Sequence, residues 1–181
     1  MAQEIIHDMK KKSGKKGWMG LKIDMEKAYD RLEWCFLEKV LHGFGFPSIW
    51  IQWVMQCVTT PSFSILLNDS PFSFFKPKRG LRQGDPLSPF LFILAAEVLA
   101  RLIEREAVNN KIIGYKLAPD LMPIFHLQFA DDLFIFAQAD VENMRSIKAC
   151  LDTYSDWSGQ KVNFGKSVII FNKNVNQEVR S

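Results

Sequence analysis

Residues 125–136 read FHLQFADDLFIF, with two adjacent aspartates, Asp131 and Asp132, set between runs of Phe, Leu and Ile. Burying an ionised carboxylate costs several kcal/mol unless a cation or hydrogen-bond donors compensate it. The doublet therefore confines this stretch to one of two structures. It is a solvated hairpin turn, where Asp is a common residue, or it is a strand connection that faces a metal ion.

The remainder of the chain sets the context. At 181 residues, 48% hydrophobic and 24% charged, it can bury a core and reads as one globular domain, not a disordered chain. A net charge of +3 permits a nucleic-acid partner without demanding one. Cys35, Cys57 and Cys150 are widely spaced with no CxxC pair, which indicates neither a disulfide framework nor a zinc site and suggests a reducing compartment. The longest apolar run, 89–96, is too short to span a bilayer, and the N-terminal lysines precede no apolar core. No membrane anchor or secretion signal is expected. His7, His42 and His126 are isolated and read as surface or packing residues.

Residues 1–9 resemble the end of an amphipathic helix, followed by a lysine-rich loop at 10–16. WMGLKID, 18–24, predicts a short buried strand ending on Asp24. Asp30 and Glu33 have capping-box spacing for a helix from about Arg31 to Gly43 or Gly45, which gives Asp30 a structural role. Pro47 opens a second helix, and SFSILL and FSFF around NDSP predict a hairpin. A basic loop, KPKRGLRQGDP, leads to a long apolar helix from about Leu87 to Ala107, with Asp85 as N-cap and Pro86 in its first turn. A strand near 112–117, the hairpin with the doublet, a helix over 141–157 between Asp140 and Gly159, and short strands KVNF and SVIIF complete the pattern. This is α+β: an antiparallel sheet with helices packed on one face.

Asp24 and Asp131 lie 107 positions apart, yet both fall at strand ends, so neighbouring strands would bring them together. Convergent carboxylates bind hard cations such as Mg²⁺ while leaving sites for substrate phosphates. Two such ions about 4 Å apart can activate a 3′-hydroxyl and stabilise departing pyrophosphate.

Four blocks then occur in order: LKIDMEKAYDRLEW, RGLRQGDPLSPFLFILAAEVLARLI, FADD and SGQKVNFGKS. Together they resemble the palm motifs of reverse transcriptases, most closely those of non-LTR (LINE-type) retrotransposons of the kind found in plants. The resemblance spans nearly the whole chain and implies a polymerase palm over residues 1–181, using two Mg²⁺ ions, with Mn²⁺ as an alternative. It implies an RNA template, a DNA primer and deoxynucleoside triphosphates as partners, origin in a longer polyprotein, and a location in nucleus or cytoplasm.

Carried over by position, the family makes Asp24 and Asp131 the principal metal ligands, Asp132 a weaker contributor, and the Met25 carbonyl a further contact. Glu26 and Asp30 match no metal position. Tyr29 falls where the family has an aromatic gate under the incoming sugar that selects deoxynucleotides; from the residues alone it reads first as a core aromatic between strand and helix. Gln83 and Gly84 match the contact to the incoming nucleotide, and Gly allows close backbone approach. Lys76, Lys78, Arg79 and Arg82 suit template phosphates, or form an ordinary exposed basic loop. Lys166 matches a lysine that protonates the leaving pyrophosphate, with Lys161 close enough to be confused with it.

The family also has fingers residues upstream of the first aspartate and a thumb downstream of the last motif. The chain is therefore expected to be a partial domain, with little processive synthesis by itself. The alternative is a non-catalytic remnant of a retroelement that binds RNA weakly through its basic segments.

Overall fold

The structure, a computed structural model, describes residues 1–14, 16–129 and 132–175. In chain order its elements are α1 (Ala2–Lys11), β1 (Trp18–Ile23), α2 (Ala28–Arg31), α3 (Trp34–Gly43), α4 (Ser48–Thr59), β2 (Phe63–Leu67) and β3 (Ser70–Phe75). They continue with α5 (Ser88–Val108), β4 (His126–Phe129), β5 (Asp132–Gln138), α6 (Val141–Ser158) and β6 (Val168–Phe171). Four strands form an antiparallel sheet in the order β4-β5-β1-β6, and β2 and β3 form a separate hairpin.

Alternation along β1 and β5 decides which side chains meet the helices. Met19, Leu21 and Ile23 lie level with Ala137, Ile135 and Leu133, and all six are buried in the main core with residues of α3, α4, α5 and α6. The opposite face carries a smaller cluster of Phe136, Tyr115, and Ile5 and Met9 of α1. The large helices therefore share one face, as the α+β pattern predicts, and α1 adds a short cover to the other.

The helix boundaries of α6 follow from its caps. The Asp140 carboxylate accepts from the Asn143 amide at 2.8 Å, and Gly159 ends the helix at φ +74°. Gly159 is also needed for packing, because a Cβ there would come within 2.7 Å of the Glu33 side chain.

Four local expectations are corrected. Residues 112–117 make only isolated bridges, Gly114 to Ala137 and Tyr115 to Ile124. The chain then leaves the sheet through a segment holding Pro119 and Pro123, which cannot donate to a ladder. KVNF pairs only at Val162, with Met25, before a turn in which the Asn163 carbonyl accepts from the Lys166 and Ser167 amides.

Asp30 is not a helix cap. It lies inside α2, which breaks at an extended Leu32, and the Glu33 amide bonds to the Ser158 carbonyl before α3 begins at Trp34. Asp85 acts just upstream of α5 rather than as its N-cap: its carboxylate accepts from the Leu87 amide at 2.8 Å, and the helix starts at Ser88.

Candidate active site

Asp24 is the first residue beyond β1, and its backbone is pinned on one side. Its amide donates to the Ser167 hydroxyl at 3.1 Å, its carbonyl accepts from the Asn163 amide at 2.8 Å, and the Glu26 amide donates to the Lys161 carbonyl at 2.8 Å. The Ser167 hydroxyl in turn donates to the Asn163 carbonyl at 2.8 Å. Strand alternation turns the amide and carbonyl of Met25 away from these partners, toward the β5 side of the sheet.

Around this strand end opens a cavity of about 660 Å³, lined by Asp24, Met25, Tyr29, Gln83 and Lys166 together with Glu26, Lys27, Arg31 and Asn163. Five residues singled out from sequence thus line the same cavity, drawn from three chain segments. Lys166 lines the cavity, while the Lys161 ammonium reaches the Glu26 carboxylate at 3.8 Å. Gly84, at φ +85°, lies one residue beyond the lining.

Tyr29 is half-buried, its ring stacked on that of Phe92 from α5 with centroids 4.7 Å apart. Three hydrogen bonds hold the loop bearing Gln83 against the same region: Gly80 amide to Leu32 carbonyl at 2.8 Å, Leu81 amide to Tyr29 carbonyl at 2.7 Å, and Trp34 Nε1 to Gly80 carbonyl at 2.7 Å. Gly80 takes φ +90°, and a Cβ on it would stand 2.7 Å from the Asp30 carbonyl oxygen. Here glycine is required by both conformation and space. The Gln83 amide is 3.5 Å from the Asp30 carboxylate, at the limit of a hydrogen bond.

Asp132 begins β5, and the register that pairs Ile23 with Leu133 brings Asp24 opposite it at the next step. Its carboxylate is exposed and forms an ion pair with the Lys22 ammonium at 3.1 Å. A side-chain cation, not burial against apolar residues, answers the charge of Asp132. Asp131, the third member of the expected convergence with Asp24 and Asp132, lies outside the described residues.

The basic loop does not act as one group. Lys76 and Lys78 are exposed, Arg79 pairs with Glu33 at 3.3 Å, and the Arg82 guanidinium stands 5.8 Å from the Phe63 ring centroid. Arg79, Arg82 and Gln83 border a second cavity of about 580 Å³ with Phe63 and Asp30. Gln83 is common to both cavities.

Sequence reasoning missed Lys27 and Arg31, whose charges join Lys166 around the first cavity; the alternation of charge in DMEKAYDR was the available signal. It also missed Ser167, Phe92 and Lys22, which act on site residues from distant segments.

Among the described residues, no group of three or more His, Cys, Asp or Glu is arranged to hold a metal ion. The donors at hand, the Asp24 carboxylate and the Met25 carbonyl directed toward β5, are hard oxygens of the kind that suit Mg²⁺ or Mn²⁺. These described donors are of the kind such an ion takes.

Residues 2–179 match the family profile described as reverse transcriptase (RNA-dependent DNA polymerase). An uncharacterized mitochondrial protein of Arabidopsis thaliana is 46% identical over 67 residues, 37% of this chain and 55% of that protein. The Pol polyprotein of the Drosophila melanogaster retrotransposable element R2DM is 31% identical over 147 residues, 80% of this chain and 13% of the polyprotein. The chain thus spans a small part of that relative and about half of the plant protein. In fold it is similar to apo telomerase from Candida tropicalis truncated from its C-terminal domain, with a TM-score of 0.69 at 17% identity, covering 95% of this chain and 35% of the other.

Proposed function

The chain belongs to the reverse transcriptase family, as a domain of the non-LTR retrotransposon kind, and from that premise we propose that it is the palm of an RNA-directed DNA polymerase. Its reaction joins a deoxynucleotide to a primer 3′-hydroxyl on an RNA template. The primer 3′-hydroxyl releases its proton to solvent as its oxygen attacks the α-phosphorus, the bond from that phosphorus to the bridging oxygen breaks, and pyrophosphate leaves. The observation that carries this reading is the single cavity shared by Asp24, Met25, Tyr29, Gln83 and Lys166.

Two divalent ions, Mg²⁺ or Mn²⁺, held by Asp24, Asp131 and the Met25 carbonyl with Asp132 as a weaker contributor, would neutralise phosphate charge and lower the pKa of the 3′-hydroxyl. The protein's own groups do the rest. Lys27, Arg31 and Lys166 supply positive charge for the triphosphate, and Lys166 gives the proton that the leaving pyrophosphate takes up. Gln83 offers a donor and an acceptor to the nucleotide from a loop fixed by the Gly80 and Leu81 amides. Tyr29, backed by Phe92, forms a rigid floor that excludes a 2′-hydroxyl by size. Gly84 beside it lets the backbone approach the nucleotide closely, and Lys76, Lys78, Arg79 and Arg82 extend the contact toward the template phosphates.

The test is Mg²⁺-dependent addition of one deoxynucleotide to a DNA primer on an RNA template. Wild type, Asp24→Asn and Asp131→Asn are compared in residues 1–181 and in a version extended at both ends. Loss of roughly a hundredfold or more in both variants of whichever form is active supports the reading. Undiminished addition by Asp24→Asn overturns it.

A further inference from the structure

The β2–β3 hairpin has no place in the chemistry above, and its surface is unusual. Ile65, Leu67, Phe72, Phe74 and Phe75 are each more than half exposed. A two-stranded hairpin is marginally stable unless something covers an apolar face.

A bulge decides which rings share a face. The pairing runs Phe63 with Phe75 and Ser64 with Phe74, then shifts so that Ile65 meets Phe72. The extra residue, Ser73, sits at φ +58°, a conformation that costs a non-glycine residue about 1 kcal/mol. Without the bulge, Phe72 would share the face of Phe74. With it, Phe63, Phe72 and Phe75 lie together, while Phe74 and Leu66 point the other way. The Phe63 and Phe75 rings are stacked with centroids 5.8 Å apart, and Arg82 lies over Phe63. Phe63 also borders the cavity that shares Gln83 with the cavity at Asp24, so this face is continuous with the candidate active site.

Charge indicates what the face receives. Between residues 61 and 84, Lys76, Lys78, Arg79 and Arg82 stand against a single acid, Asp69 at the hairpin tip. A second copy of the chain, docked by two-fold symmetry on this face, would set the basic loop near its own like charges. Rings beside cations match a polyanion that carries flat apolar groups.

We propose that the Phe63, Phe72 and Phe75 face of the hairpin binds unpaired nucleic-acid bases by stacking, with Arg82 and the loop lysines holding the adjoining phosphates. The assignment of these bases to the template strand rests on the polymerase reading of the neighbouring cavity; the stacking itself does not.

The experiment is fluorescence anisotropy of a labelled oligouridylate with the full chain, in EDTA and without nucleotide, so that catalysis plays no part. Replacing Phe72 and Phe75 together by Leu keeps the face apolar and removes the rings. Binding is expected to weaken about tenfold or more with the salt slope unchanged, while Phe72→Trp and Phe74→Leu bind within about twofold of wild type. Arg82→Gln should lower the salt slope by about one. Equal binding by the Phe72→Leu, Phe75→Leu variant, or equal binding of a base-free ribose phosphate chain, overturns the proposal. Loss of self-association in sedimentation, with RNA binding intact, would assign the face to a second copy instead. If this binding holds while Asp24→Asn leaves nucleotide addition intact, the polymerase reading alone fails.

Discussion

The ring of Tyr29 lies flat against that of Phe92, with centroids 4.7 Å apart and planes 11° from parallel. One ring faces the cavity at Asp24, and the other is buried in the core beneath it. Sugar selection in the proposed reaction therefore depends on a core residue of α5. Tyr29→Ala should relax discrimination against ribonucleotides more than it slows deoxynucleotide addition. Phe92→Leu, which keeps most of the apolar volume at a cost of about 1 kcal/mol, should relax it in part. The ratio of dTTP to UTP incorporation in primer extension checks both. Unchanged selectivity in Tyr29→Ala returns that residue to the status of a core aromatic.

Gly80 couples the Gln83 loop to α2. A methyl group at Gly80 meets the Asp30 carbonyl and must also accept φ +90°. Gly80→Ala should lower stability by more than about 1 kcal/mol in chemical denaturation and raise KM for the incoming nucleotide. A variant with wild-type stability and KM would show that the loop is not held as described.

Lys22 and Asp132 form an exposed ion pair at 3.1 Å. Such pairs contribute at most about 1 kcal/mol to folding, so Lys22→Gln should scarcely change the melting temperature. It should, however, raise affinity for Mn²⁺ about fivefold, the effect of removing one positive charge some 8 Å from a divalent ion in a water-like medium. Calorimetric titration with Mn²⁺ reads this directly, and an unchanged Kd would separate Asp132 from the metal set.

Local signals were legible where one segment decides its own structure. Asp140 and Gly159 mark the ends of α6, the apolar run predicts α5, and the hairpin of β2 and β3 was visible in its alternation and turn. Asp85 and the KVNF segment depart through local bonds, whereas the other two failures turn on partners remote in sequence. Residues 112–117 look like a strand, but Gly114 is pressed against Phe125, where a Cβ would come within 2.6 Å, and the ladder reduces to bridges. Asp30 and Glu33 have the spacing of a capping box, yet the Ser158 carbonyl takes the Glu33 amide and splits the helix. Of the residues lining the cavity, Asp24, Met25, Tyr29, Gln83 and Lys166 stand in motifs that single them out in the sequence. Phe92, Ser167 and Lys22 are not so marked, because stacking, a hydroxyl to a strand-end amide, and a cross-strand ion pair leave no local pattern.

The three cysteines should divide by environment. Cys35 and Cys57 are exposed, whereas burial pushes the Cys150 thiol up to about 11, with the Glu106 carboxylate adding to the effect. A raised pKa means less thiolate at a given pH, and the thiolate is the reactive form. At pH 8, two thiols should react with a disulfide reagent in the native protein and the third only after denaturation. Three fast thiols would contradict the packing of α6.

In the proposed reaction one cavity holds the incoming nucleotide between Asp24 and Tyr29. A crystal structure with a non-hydrolysable deoxynucleoside triphosphate and Mg²⁺ tests it most directly. The triphosphate is expected among Lys27, Arg31 and Lys166, with the sugar on the Tyr29 ring and the Asp24 and Asp131 carboxylates sharing the metal ions. A nucleotide bound elsewhere, or Asp24 and Asp131 side chains more than about 10 Å apart, beyond the span of two bridged ions, would contradict it.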